Sequence, residues 1–131
     1  MPRSLWIVCL VACLPASCAA PSPHTGPARP ARINHVAFFE LNDPADAGEL
    51  IRDCNSMRTT IPGIVSAYAG THLDTVREGV QSDYHVGFYV GFMSEADYQT
   101  YLDHPAHLEI VKKWRPRLRR LQVYDVVDET P

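Results

Sequence analysis

The sequence predicts an α+β domain of four antiparallel strands and two helices in the order β-α-β-β-α-β, and three observations carry that prediction. His85-Val86-Gly87-Phe88-Tyr89-Val90-Gly91-Phe92 places bulky apolar residues at every second position, the period of a strand with one buried face. Asp43-Pro44 precedes Ala47, Leu50, Ile51, Cys54 and Met57, an apolar stripe at helical spacing behind an N-cap and an N1 proline. Ser94 stands three residues before Asp97, resembling a capping box at the start of a second helix.

The elements follow in order. Ile33-Asn34-His35-Val36-Ala37-Phe38-Phe39 is β-branched and aromatic and reads as the first strand. The first helix runs from Asp43-Pro44 to Ile61-Pro62-Gly63, with Cys54 on its apolar stripe as a buried, inert thiol. Ile64 to Gly70 forms the second strand, and a polar loop through Asp83 leads to the third. There Val86, Phe88, Val90 and Phe92 should pack under helices, while Gly87 and Gly91 leave room on the face they share with His85 and Tyr89. The second helix ends near Asp103. Pro105 restricts His104 and opens a short further helix carrying Leu108, Val111 and Trp114, which Pro116 closes. Leu121 to Val127 supplies the last strand. This is the ferredoxin-like order, a four-stranded antiparallel sheet with helices on one face. The uncovered face must meet something apolar, and a second copy of the chain is the simplest cover.

The chain has 131 residues, 46% hydrophobic and 21% charged, with a formal net charge of −3. That is ordinary globular material for one domain, which excludes disordered, collagenous and coiled-coil chains. The slightly acidic balance speaks against nucleic-acid binding, which favours basic domains. Cys9, Cys13 and Cys18 lie at the N-terminus, so the body holds Cys54 alone and has neither a disulfide framework nor a zinc-type cysteine pair.

Residues 1–20 have the layout of a secretory signal peptide. Arg3 is followed by the apolar run Leu5 to Leu14, too short to span a bilayer, and then by Pro15-Ala16-Ser17-Cys18-Ala19-Ala20. Leu10-Val11-Ala12-Cys13 resembles a lipobox in its letters. Cys18 sits at a more usual distance but has Pro15 where Leu is customary. Export to the periplasmic side of the cell envelope is expected. The membrane contact would be a lipid on Cys18 or Cys13, and plain cleavage near Ala19 would leave a secreted or periplasmic protein. Residues 21–32 hold four prolines and no large apolar side chain, the composition of an extended, mobile linker. The folded domain then spans 33–127, and 128–131 form a tail.

Within 33–127 the sequence resembles the stress-responsive α/β barrel (Dabb) proteins of the dimeric α/β-barrel superfamily. The matching pieces, in order, are Asn34-His35-Val36, Ile61-Pro62-Gly63-Ile64, Gly70, Asp83-Tyr84-His85, Phe92 and Tyr101-Leu102-Asp103-His104-Pro105-Ala106-His107. The resemblance implies a homodimer whose two sheets form a dimeric α/β barrel. Most such proteins have no established activity, and one subgroup includes a polyketide cyclase acting on poly-β-keto thioesters. Resemblance to that enzyme implies His107 as general base, Tyr101 orienting it or the substrate, and His35 lining the same pocket. His85, Tyr89 and His104 complete the candidate ligand pocket. Imidazole titrates near neutrality, which suits removal of a proton α to a carbonyl.

Each reading has a plainer counterpart. His107 and Tyr101 could instead form a structural hydrogen bond at the helix junction. His35, His85, His104 and His107 could include zinc ligands, but no carboxylate or cysteine partner is implied by spacing, and neither a metal nor a cofactor is expected. Lys112 to Arg120 holds six basic residues in nine and could hold anionic lipid headgroups or an acidic ligand, yet reads better as a solvated helix-and-turn surface. Two functions remain: a barrel of unestablished activity that binds a small hydrophobic ligand, or a cofactor-free enzyme of polyketide-cyclase or related type.

Overall fold

The computed structural model describes Arg29 and residues 31–129. The signal peptide and lipidation expected in residues 1–20, Cys13 and Cys18 included, lie outside the described residues. Strand β1 (Ile33–Leu41) leads through a 3-10 turn (Pro44–Asp46) into helix α1 (Ala47–Thr60). Strands β2 (Ile64–Gly70) and β3 (Val86–Phe92) follow, then helices α2 (Glu95–Asp103) and α3 (Pro105–Trp114). A second 3-10 turn (Arg115–Arg117) delivers the chain into β4 (Leu118–Val127). The sheet order is β2-β3-β1-β4 with every pair antiparallel, the ferredoxin-like arrangement.

Local chemistry explains the boundaries. Asp43 Oδ1 accepts the Ala45 N–H at 2.9 Å and so starts the turn before α1. Ser94 Oγ accepts the Asp97 N–H at 3.1 Å and donates to Asp97 Oδ2 at 2.6 Å, capping α2. After α1 the chain reverses at Gly63, whose φ of +84° lies in the left-handed region. Leu50, Cys54 and Met57 of α1 are buried against Val86, Phe88, Val90 and Phe92 of β3, as the strand's alternation requires. Burying a side chain of that size contributes about 1.5–3 kcal/mol, so this layer dominates the stability of the domain.

Four details differ from the sequence reading. The further helix expected after Pro105 is a full ten-residue α-helix and not a short appendage, so three α-helices cover the sheet. The face of α3 turned to the core carries Ala106, Ile110 and Trp114, while Leu108 and Val111 are exposed. β4 begins at Leu118, not Leu121, because β1 extends to Leu41 and keeps a partner at Leu118. Ala31 and Arg32, assigned above to a mobile linker, belong to the fold. Ala31 is buried, Arg32 N–H bonds to Phe92 O, and Asp128 N–H bonds to Arg32 O.

The helices leave one sheet face bare. Tyr68 of β2 stacks on Tyr89 of β3 with centroids 4.9 Å apart, and Val65, Tyr124 and Val126 are exposed. β4 lies at the edge of the sheet, where its Leu121 and Val123 are also exposed. These two line a space under the helices.

Candidate functional site

That space is a cavity of about 550 Å³ between the helices and the sheet, walled by apolar side chains such as Leu50, Met57, Phe88 and Trp114. It is of the size that holds small ligands. His35, Tyr101 and His107 bring polar groups to it, and Arg115, Arg119 and Arg120 line it as well.

The break between α2 and α3 places His107. Pro105 has no N–H, and the next donor, Ala106 N–H, goes to His104 Nδ1 at 3.2 Å, so His104 acts as the N-cap of α3. Leu102 O, at the frayed end of α2, receives His107 Nδ1 at 3.0 Å instead. A carbonyl can only accept, so Nδ1 carries the proton and the Nε2 lone pair of neutral His107 is left as the base. Burial lowers the pKa of His107 below the ordinary imidazole value, a nearby His35 charge lowers it further, and the bond to Leu102 opposes both. The side chain is therefore neutral at neutral pH.

Tyr101 is buried and lies against His107, ring centroids 4.3 Å apart and tilted by 39°. The contact is ring on ring. Among the described residues the Tyr101 hydroxyl has no hydrogen-bond partner, although the residue is only 2% exposed. Burial raises its phenol pKa well above the usual range, with the Cys54, Tyr98 and Asp125 charges adding to the effect, so it stays a donor. Cys54 also lines the cavity. Burial, helped by Asp53, pushes its thiol up to about 12 and keeps it protonated.

His35 comes from the helix side of β1 and is held by two residues that sequence reasoning missed. Its Nδ1 lies 2.6 Å from Asp125 Oδ1 on β4, and the Tyr98 hydroxyl of α2 donates to the same oxygen at 3.0 Å. The carboxylate can only accept, so His35 Nδ1 is the donor and its Nε2 is left as an acceptor when neutral. Burial and the Asp125 charge push the Tyr98 phenol up to about 12. A signal for Asp125 was present: it interrupts the apolar set Leu121, Val123 and Val127 on one face of β4.

The other expected pocket residues stand elsewhere. Tyr89 is on the bare face of the sheet, where its hydroxyl bonds to Asn34 Oδ1. His85 precedes β3 and its Nδ1 accepts the Leu41 N–H at 2.9 Å. His104 caps α3. Of the four residues grouped by sequence, His35 alone shares the cavity with Tyr101 and His107. Among the described residues no group of three or more His, Cys, Asp or Glu is placed to hold a metal ion.

The family model of the stress responsive A/B barrel domain matches residues 33–128. No curated protein matches the chain. Among solved structures, the hydroxynitrile lyase of Passiflora edulis is similar at 20% identity and a TM-score of 0.66, covering 79% of this chain and 99% of the lyase. A Dabb family protein of Mesorhizobium loti with a ferredoxin-like fold is 24% identical, with a TM-score of 0.62 over 75% of this chain and 97% of that one. A dimeric ferredoxin-like protein of unknown function from Thermobifida fusca is 22% identical, with a TM-score of 0.61 over 73% and 90% of the two chains.

Proposed function

The chain belongs to the stress responsive A/B barrel domain family, and from that premise we propose that it is a cofactor-independent acid–base enzyme acting on a hydrophobic carbonyl compound in the cavity beside His107. One observation carries the reading: a neutral imidazole with its Nδ1 proton tied to Leu102 O sits against Tyr101, whose hydroxyl has no hydrogen-bond partner among the described residues, and both line an apolar cavity. His107 Nε2 takes the proton from the carbon α to the carbonyl. The electron pair of the broken C–H bond moves onto the carbonyl oxygen, and Tyr101 O–H donates a hydrogen bond to the charge that develops there. The imidazolium then returns its proton to the product. The lyase of Passiflora edulis is an enzyme of similar fold, which supports a catalytic reading over a ligand carrier. The Thermobifida fusca protein is described as dimeric, which supports a homodimer through the bare face of the sheet. The composition of residues 1–20 supports export to the cell envelope, with lipid on Cys13 or Cys18.

Exchange of α-protons for deuterium in a panel of hydrophobic ketones and β-keto esters, followed by NMR, tests the chemistry without a known substrate. His107→Ala should slow accelerated exchange by about 10²–10⁴-fold with the fold retained. Tyr101→Phe keeps the ring and should cost less, about 1–3 kcal/mol of barrier, or roughly 5- to 150-fold. Equal rates in wild type and His107→Ala would leave a non-catalytic barrel that binds a hydrophobic ligand.

A further inference from the structure

We propose that the ligand is an amphipathic carboxylate: its apolar body fills the cavity and its carboxylate rests on Arg115 at the open end. This deepens the reading above and relies on the cavity being the ligand site.

The six basic residues of Lys112 to Arg120 do not form one uniform surface. Lys113 and Arg117 are taken up by the α1 side: Lys113 Nζ lies 2.8 Å from Glu49 Oε1 and 2.6 Å from Asp53 Oδ2, and Arg117 bonds to Asp46 and Glu49. Arg119 and Arg120 share Glu40, and Arg120 also reaches Asp83 at 2.6 Å. Arg115 makes no ion pair among the described residues, is exposed to water, and lines the cavity. The cavity lining contains Arg115, Arg119 and Arg120 but no carboxylate. Three guanidinium groups against the carboxylates of Glu40 and Asp83 leave one positive charge facing the opening.

The charge is at one end. His107 opens α3, and Arg115 continues its helical path just past the last turn. The two are eight residues apart in a helical run, about 12 Å along the axis. Likewise Arg119 and Arg120 enter β4 beside Glu40 and Leu41, whereas His35 pairs further along with Asp125. The neutral His107–Tyr101 end and the cationic Arg115 end thus face the two ends of one elongated, apolar ligand. A guanidinium fork suits a carboxylate, which it can hold through two parallel hydrogen bonds. Because Arg115 is exposed, its contribution should be moderate and sensitive to salt.

Quenching of Trp114 fluorescence by decanoate and by decanamide measures this directly, since Trp114 forms part of the cavity wall. Wild-type protein at low salt should bind decanoate about tenfold more tightly than the neutral amide. Arg115→Gln should remove that preference and leave the affinity for decanamide unchanged. Equal affinities in the wild type would overturn the proposal while leaving the His107 chemistry standing. A preference that survives in Arg115→Gln but disappears in His107→Ala places the carboxylate at the other end and also overturns it. Binding of neither probe would overturn the cavity reading itself.

Discussion

A histidine's usefulness as a base depends on which nitrogen keeps its proton, and His107 has that choice made by a backbone carbonyl. The same environment makes its protonation a cost to the fold. Its pKa in the folded chain is lowered from the ordinary 6.5, so the unfolded chain binds more protons at and just below that pH. Stability therefore rises with pH through this window, is complete above about 6.5, and is lost as pH falls toward the folded value. Glu49 is held down at about 2 by hydrogen bonds from Lys113 and Arg117, so its own contribution is lost at lower pH and does not confuse the measurement. Thermal melts between pH 5 and 7.5 should show the midpoint falling toward acid. His107→Gln keeps a donor for Leu102 O but cannot titrate, so its midpoint should vary less over the same range. An unchanged slope in that variant would mean that the acid sensitivity arises elsewhere.

Helix α1, the turn after it and α2 depend on one glycine more than on any other. Gly63 has φ +84°, and a Cβ there would come within 2.8 Å of the Cβ and Oδ1 of Asp97, the residue that completes the α2 cap. Gly79 provides a control, since it has the same φ of +84° but nothing within 4 Å of an added Cβ. Gly79→Ala should cost about 1–2 kcal/mol for the left-handed backbone alone. Gly63→Ala adds a clash with a side chain that cannot retreat without releasing Ser94, so its cost should exceed that of Gly79→Ala by roughly 1 kcal/mol or more. Urea unfolding of both variants compares them, and equal midpoints would show that Asp97 moves freely. The turn was legible from Pro62-Gly63. The closeness of Asp97 was not, because 34 positions of sequence separate the two residues.

For the molecule as a whole, the bare face of the sheet would carry the proposed dimer, and residues 1–20 the proposed export and lipid anchor. Val65, Tyr68, Tyr124 and Val126 are each about half or more exposed, and they lie on β2 and β4, the two edge strands of the sheet. Exposed apolar side chains of this size on a sheet face that no helix covers mark an association surface. Sedimentation of a chain starting at Arg29 should give a dimer at micromolar concentration, and Tyr68→Glu should shift it toward monomer with its circular dichroism retained. A monomer in the unmodified chain would refute the pairing. Export has its own test. Replacing Cys13 and Cys18 separately with Ser should release the protein from the membrane in one case only, which marks the lipidated residue. No release from either change or from both would reject lipidation.

Strand alternation, the Asp43 and Ser94 caps and the prolines determined the elements and their order, because each signal acts within a few residues of chain. The same signals put the helices over Val86, Phe88, Val90 and Phe92 and left His85 and Tyr89 on the roomy face, but could not say that the cavity forms under the helices and not on that roomy face. A strand's period of two reports that two faces exist, and only the packing of α1 to α3 decides which becomes the wall of a cavity. His35, Asp125, Tyr98 and His107 come from three different stretches of chain and meet only when β1 and β4 pair and the α2–α3 break turns His107 inward. The basic run divided in the same way: its composition was plain, but tertiary contacts assigned four of its six cations to carboxylates, and of Lys112 and Arg115, which make no ion pair among the described residues, Arg115 alone lines the cavity. Neutralisation depends on distances of a few ångströms between segments far apart in sequence, and local pattern carries no information about those distances.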